Sequence, residues 1–308
     1  MVNLNNFLDF LKLLVVTTFS QLIWLLGLFF IFGLILYLFA RFTRVTFVKS
    51  AGRKLDIFIT GWIGTPVHEL GHAIFCVLFG HKIKELKLYS PNAADGTLGF
   101  VHHAYNPKST YQKIGNFFIG AGPIIFGSLV IYAISYYLVP DMRAVFSGIE
   151  SQGEVYLLML QGQFSGVLEA FWQTTQLTLG TLLNRENFSD YRFWIFLYLA
   201  VSISSHMQLS PPDISGAKSG LISLVVLFFI LNLLILGMEA TGLSVYFGDW
   251  WQFIKLEHYA VYINNFLGVM ASLFVFASII SGLNFVASYI ILTLYNLIRG
   301  KGLINPVR

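Results

Sequence analysis

The sequence predicts an all-α polytopic membrane protein with about six transmembrane helices and a short membrane-associated β-hairpin. Three observations carry that expectation. Hydrophobic residues make up 56% of the chain and charged residues only 11%, less than half of the roughly 25% typical of soluble domains. The mean hydropathy is +0.71. Apolar runs recur at about the twenty-residue length that carries a helix across a hydrocarbon core about 30 Å thick.

Five runs have that length: 17–40, 57–80, 115–139, 192–210 and 218–240. A sixth region, 261–298, is too long for one span. It reads as one long tilted helix with an interfacial piece, or as two short helices broken near Ser281-Gly282. Residues 4–16 place Asp9 and Lys12 on an apolar pattern that suits an interfacial helix. No basic start, short apolar core and small-residue cleavage site precedes 17–40, so that run reads as a retained span. Residues 41–56 read as a basic loop.

Between 81 and 113, "KIKELKLY" and "TLGFVHHAY" alternate polar and apolar residues around "SPNAADG". That pattern predicts a β-hairpin over about 82–105. Residues 140–190, with several acids and the stretch "EAFWQTT", form an extramembrane loop of amphipathic or interfacial character. Trp250 and Trp251 suit an interfacial belt. The chain thus divides into 1–56 (interfacial helix, first span, basic loop), a membrane core over 57–240, and 241–308 (interfacial segment and C-terminal span or spans). Basic loops face the cytosol. This places the hairpin and the tail, with Arg299, Lys301 and Arg308, inside and the acidic 140–190 loop outside, and leaves the basic 41–56 loop in conflict.

Cys76 is the only cysteine, which excludes an intramolecular disulfide and a Cys-rich metal site. The net charge is +4, with basic residues mostly beside apolar runs, so there is no nucleic-acid footprint. The lipid bilayer is the first partner implied, and the location is an integral, multi-pass one, in the cytoplasmic membrane of a prokaryote.

Inside the second run, "TPVHELGHAIF" places His68, Glu69 and His72 within five positions. Ionisable groups at membrane depth are costly and tend to mark function. His68 and His72 are four apart, on one face of a helix, where two imidazoles reach one metal ion. Glu69 reaches a water in an open coordination position. Zinc lowers that water's pKa to about 7 and polarises a carbonyl, while the carboxylate takes the proton. A chance H-E-x-x-H match in a chain of this composition is expected roughly 0.004 times. Gly71 removes a side chain where another element approaches closely, and Thr65-Pro66 marks a helix start or kink.

A catalytic zinc usually has three protein ligands. Asp213, in "SSHMQLSPPDISG" at 204–216, is the leading candidate. Pro-Pro-Asp followed by Ser and Gly is also ordinary turn or helix-cap chemistry. His206 competes with it, provided the helix continues to bring the two onto one face.

These residues resemble the site-2 protease family of intramembrane zinc metalloproteases, in a divergent form. "HELGH" is similar to its zinc-binding helix at His68, Glu69 and His72. Ala121-Gly122-Pro123 in "GAGPIIFGSLV" is similar to the segment opening its next core span. Asp213 after two prolines is similar to its third zinc ligand, and the hairpin stands where the family often has one. The resemblance covers roughly 57–240. Asp213 is followed by Ile214, and no Asn precedes Pro211, which leaves Ser210 or His206 for the role of a family residue that holds substrate or an oxyanion. No PDZ-like insertion is evident at 140–190.

The resemblance implies zinc-dependent intramembrane proteolysis of a membrane-protein or peptide substrate, with Zn²⁺ on His68, His72 and Asp213 and with Glu69 as base. An edge strand of the hairpin would pair with a locally unwound substrate. Thr60, Thr65, Asn116 and Ser210 are candidates for a polar water path, or else for interhelical hydrogen bonds. Two alternatives stand beside it. One is a membrane-embedded zinc protease of soluble or misfolded chains with Glu239 as third ligand; the other is a non-catalytic scaffold that keeps the fold. His102 and His103 point to opposite strand faces and read as surface histidines rather than one metal site.

Overall fold

The computed structural model describes residues 7–52, 57–92, 97–146 and 167–307. In chain order its elements are α1 (Phe7–Ala51), α2 (Trp62–Leu78, entered through a π-helical turn, Ile57–Gly61), strands β1 (Lys82–Lys87) and β2 (Phe100–Ala104), then α3 (Thr110–Leu138). There follow α4 (Val167–Leu182), α5 (Arg185–Ser189), α6 (Tyr191–Ser205), α7 (Pro211–Ala240) and α8 (Ala260–Ile298), the last preceded by 3-10 turns over Leu243–Ile254 and Leu256–Tyr259. The chain is a helical membrane protein with a two-stranded antiparallel sheet. Among the described residues, four helical stretches are long and apolar enough to cross a membrane: α1, α3, α7 and the one ending in α8.

One boundary differs from the sequence reading, and one open choice is decided. The expected interfacial helix, first span and basic loop merge into α1, a single 45-residue helix about 68 Å long. Arg41, Arg44 and Lys49 are good helix formers with no proline among them, so basic character alone does not end the helix. Residues 1–6 and 53–56 lie outside the described residues. Region 261–298 is one helix, unbroken at Ser281-Gly282. A single glycine costs a helix only about 1 kcal/mol, and Ser281 is buried against neighbours rather than exposed at a break.

α1 and α8 run side by side in the same direction. Trp24 Nε1 donates to Asn264 Oδ1 (3.0 Å), Phe29 packs on Phe274, Phe39 stacks on Phe285, and Ser50 Oγ donates to Asn296 Oδ1 (3.0 Å). Lys49 Nζ then reaches the carbonyl of Asn305 in the tail (2.9 Å). α3 follows the same direction, with Phe117 beside Phe29 and Ile124 beside Gly33. The basic end of α1 and the basic tail therefore share one end of the bundle.

The span expected over 192–210 stops at Ser205, and residues 207–210 leave the helix before α7 begins. Of the expected 140–190 loop, residues 147–166 lie outside the described residues. The rest is largely helical, with "EAFWQTT" inside α4. The hairpin forms as expected, pairing Lys82 with Ala104 and Lys87 with Phe100, with an irregularity between Ile83 and Glu85. Its turn residues 93–96 lie outside the described residues. α2 ends on Gly80 in the left-handed region (φ 66°), with the His81 N–H bonded to the Cys76 carbonyl at 2.8 Å, a Schellman-type stop. That reversal sends β1 back along α2, and Tyr89 Oη donates to the Ile57 carbonyl (2.9 Å).

α2, α3 and α7 pack with almost nothing between their backbones. A Cβ on Gly71 would lie 2.8 Å from the Gly122 carbonyl, and one on Gly122 would lie 2.6 Å from the Gly71 carbonyl. One on Gly120 would lie 2.5 Å from the Asp213 carbonyl. Small residues at such crossings let membrane helices gain dispersion contacts that lipid cannot supply. The space that Gly71 leaves in the His-Glu-His stretch is filled by the Gly122-Pro123 backbone.

Gly122→Leu is expected to lower the thermal unfolding midpoint of the protein in detergent, a cost of about 1–3 kcal/mol for overpacking. Gly33→Ala, whose Cβ meets only Ile124 at 3.6 Å, is expected to leave it unchanged. Equal midpoints for both variants would show that the crossing is not tight.

Candidate metal centre

α2 carries His68, Glu69 and His72 toward α3 and the start of α7. His72 Nδ1 lies 2.7 Å from the Ile119 carbonyl on α3. That carbonyl is available because Pro123, four residues on, has no N–H to donate to it. His68 Nδ1 lies 2.7 Å from the His206 carbonyl, at the C-terminal cap of α6, where helical carbonyls lack intrahelical partners. A carbonyl only accepts. Both Nδ1 atoms therefore carry the hydrogen, and in the neutral rings both Nε2 atoms present lone pairs.

Those two Nε2 atoms face each other at 3.2 Å. The carboxylate of Asp213 closes the third side, with Oδ1 3.2 Å from His72 Nε2 and Oδ2 3.7 Å from His68 Nε2. One donor atom from each of the three residues lies within 4.8 Å of the others. Two ligand atoms on a tetrahedral zinc, each about 2.0–2.1 Å from the ion, stand about 3.3 Å apart. Converging lone pairs repel unless a cation lies between them, so the donor set fits zinc in spacing and in protonation.

Asp213 is placed by its own helix start. Ser210 is the N-cap of α7, Pro211 and Pro212 fill the first two positions, and Asp213 is the third. Proline is cheap there because those N–H groups have no helical partner. Asp213 Oδ2 accepts from the Ser210 N–H and from Ser210 Oγ, both at 2.7 Å. That leaves Oδ1 toward His72. The helix-cap and ligand readings of Asp213 are thus the same geometry. Ser210 orients Asp213 and is committed to it.

Glu69 is 6% exposed and lines a cavity of about 660 Å³ together with His68, His72, Asp213, Asn116 and the β2 residues from Phe100 to His103. Gly99 passes directly over it; a Cβ there would sit 3.0 Å from Glu69 Oε1. β2 therefore forms one wall of the cavity. Thr60 and Thr65 do not line it, whereas Asn116 and Ser210 do, joined by Ser215 and Ser219.

Two candidates fall away. The His206 ring turns back to the Ser202 carbonyl of its own helix (Nδ1 at 3.2 Å), because α6 ends before it and no continuous helix aligns it with Asp213. Only its backbone carbonyl serves the centre. Glu239 is 26 residues beyond Asp213 on the same straight element, about 39 Å away along the axis. There it pairs with Lys255 Nζ (2.5 Å) and accepts from Trp251 Nε1 (3.0 Å).

Sequence reading missed the carbonyls of Ile119 and His206, although Pro123 was a signal for the first. It also missed a second group. His103 Nδ1 stands 3.0 Å from His81 Nδ1, and His81, His103 and Cys76 bring donor atoms within 4.8 Å of one another. His102 goes elsewhere, beside Glu85 (3.7 Å) and stacked on Phe100, so the two adjacent histidines do not share a site. Burial first, then His81, holds the His103 imidazole below its ordinary pKa. No protein-family model matches the chain, and no curated protein or solved structure matches it.

Ser210→Ala is expected to weaken zinc binding by about 10–100-fold, the usual cost of removing a group that orients a ligand. Glu239→Ala is expected to leave zinc content unchanged. Competition with a chelating dye on purified protein measures both; full affinity in Ser210→Ala would show that Asp213 needs no support.

Proposed function

We propose that this chain is a zinc-dependent intramembrane metallopeptidase of the site-2 protease type. The observation that carries the reading is the convergence of His68 Nε2, His72 Nε2 and the Asp213 carboxylate beside Glu69 at membrane depth. Ile119, which orients His72, lies nine residues into the 29-residue α3, about 14 Å from its start. The resemblance of "HELGH", Ala121-Gly122-Pro123 and Asp213 to that family supports the same conclusion. So does the separation of Glu239 from the centre, which disfavours a Glu-ligated zinc protease. In this reading the core has about six spans, α2 and α6 being short ones held among longer helices.

His68, His72 and Asp213 would hold the ion. When bound, it supplies a Lewis acid and lowers the pKa of a water. Glu69 takes a proton from the water as its oxygen adds to the carbonyl carbon of the scissile amide. It then delivers that proton to the amide nitrogen as the C–N bond breaks, releasing a carboxylic acid and an amine. A transmembrane helix hides its amides in internal hydrogen bonds, so a substrate has to unwind to reach Glu69. β2, paired to β1 on one side and walling the cavity with its residues, offers backbone partners to such an unwound segment.

Glu69→Gln is expected to keep full zinc content and to lose cleavage by roughly a hundred- to ten-thousand-fold. Terminal-peptide profiling of membranes from cells expressing wild type or Glu69→Gln checks this. Identical sets of new termini would sink hydrolysis and leave a scaffold. Asp213→Ala retaining stoichiometric zinc would sink the ligand set.

A further inference from the structure

We propose that Cys76, His81 and His103 form a second cation site of the zinc class, which clamps β2 to α2. The inference does not depend on hydrolysis at Glu69. His68, His72 and Cys76 recur every four residues on α2, so they form one stripe on the helix face. The first two serve the Asp213 centre, and the third stands one turn further on. Cys76 is fully buried.

His81 is returned to Cys76 by the helix stop itself, since its N–H bonds the Cys76 carbonyl at 2.8 Å. Its Nε2 lies 2.8 Å from the Gln112 carbonyl. That nitrogen is the donor, so in the neutral ring His81 Nδ1 presents its lone pair toward His103 Nδ1 at 3.0 Å. A metal-ligating histidine commonly donates its other nitrogen to a backbone carbonyl in this way. His81 is 5% exposed, and its ring is held further by stacking on Tyr105. His103 comes from β2 and lines the cavity over Glu69, which gives an ion a route in.

With an ion bound, the donor set would be one thiolate and two imidazoles. It selects borderline and soft cations, zinc above all, over magnesium or calcium. The three residues come from α2, from the turn that follows it, and from β2. An ion held by all three would fix the strand that walls the cavity against the helix that carries Glu69, so the second site would be structural where the first is open. Cys76 Sγ lies within 4.8 Å of a ring nitrogen of each histidine.

The chain's single cysteine makes the test selective. Metal-stripped, purified full-length protein is titrated with Co²⁺ and followed by absorption. Thiolate-to-cobalt charge transfer in the near ultraviolet can arise only at Cys76. The expected result is that band together with two cobalt equivalents per chain. Asp213→Ala should lose one equivalent and keep the band. Cys76→Ser and His103→Ala should each lose the band and one equivalent while keeping the visible ligand-field absorption of the His68/His72/Asp213 centre. His103→Ala changes a half-buried strand residue, and the retained visible absorption reports that the fold is intact. No charge-transfer band at saturating cobalt in the wild type would overturn the proposal. So would a band undiminished in His103→Ala, which would mean the thiol binds cobalt without the site.

Discussion

The close crossing of α2 over α3 at Gly71 and Gly122 is the contact on which the rest of the core depends. Side chains there would push the helices apart, since a Cβ at either position would fall within 3 Å of the opposing backbone. Lipid is as apolar as leucine, so burying large side chains gains these helices little over leaving them in the bilayer. Dispersion between closely apposed backbones is what holds them. The same short segment of α3 admits α7 through Gly120. The helix that carries the histidines and the helix that carries Asp213 thus meet across three residues of a third.

Orientation of the three converging side chains follows from that closeness. The two imidazoles are tied by carbonyls that ordinary helices would keep for themselves. One is released by Pro123, and the other is left over where α6 ends. Each bond supplies a polar partner to a buried ring, where an unpaired group is expensive, and it also sets the tautomer that leaves the Nε2 lone pair facing the cluster. Asp213 is handled likewise by Ser210, which takes one carboxylate oxygen and leaves the other. Proline, helix end and helix cap are local breaks in regular structure, and each one becomes a support for a side chain of the cluster.

The hairpin gives the core its asymmetry. It turns back along α2 instead of projecting away from it, so Gly99 passes over Glu69 and His103 reaches the Cys76 end of the same helix. α2 is therefore a common rail for the carboxylate, both imidazoles and the thiol, and β2 runs above it. The long α1 and α8, in parallel register from Trp24 and Asn264 to Ser50 and Asn296, stand outside this arrangement and brace it.

Much of the site was legible in one dimension because its logic is local. Histidines four apart with an adjacent glutamate require only a helix to share a face, and the hairpin's alternation and turn residues are equally short-range. Composition by itself determined a helical membrane protein, since a chain so poor in charge cannot cover a globular surface. Helix ends within basic or Ser-Gly stretches were not legible, because lysine, arginine and one glycine are compatible with helix and only neighbouring helices decide. The choice between Asp213, His206 and Glu239 belonged to tertiary structure for the same reason. Three acidic or imidazole side chains, all far in sequence from His68 and His72, look alike until backbone packing at Gly120 and Gly122 brings one of them to the histidines and leaves the others out of reach.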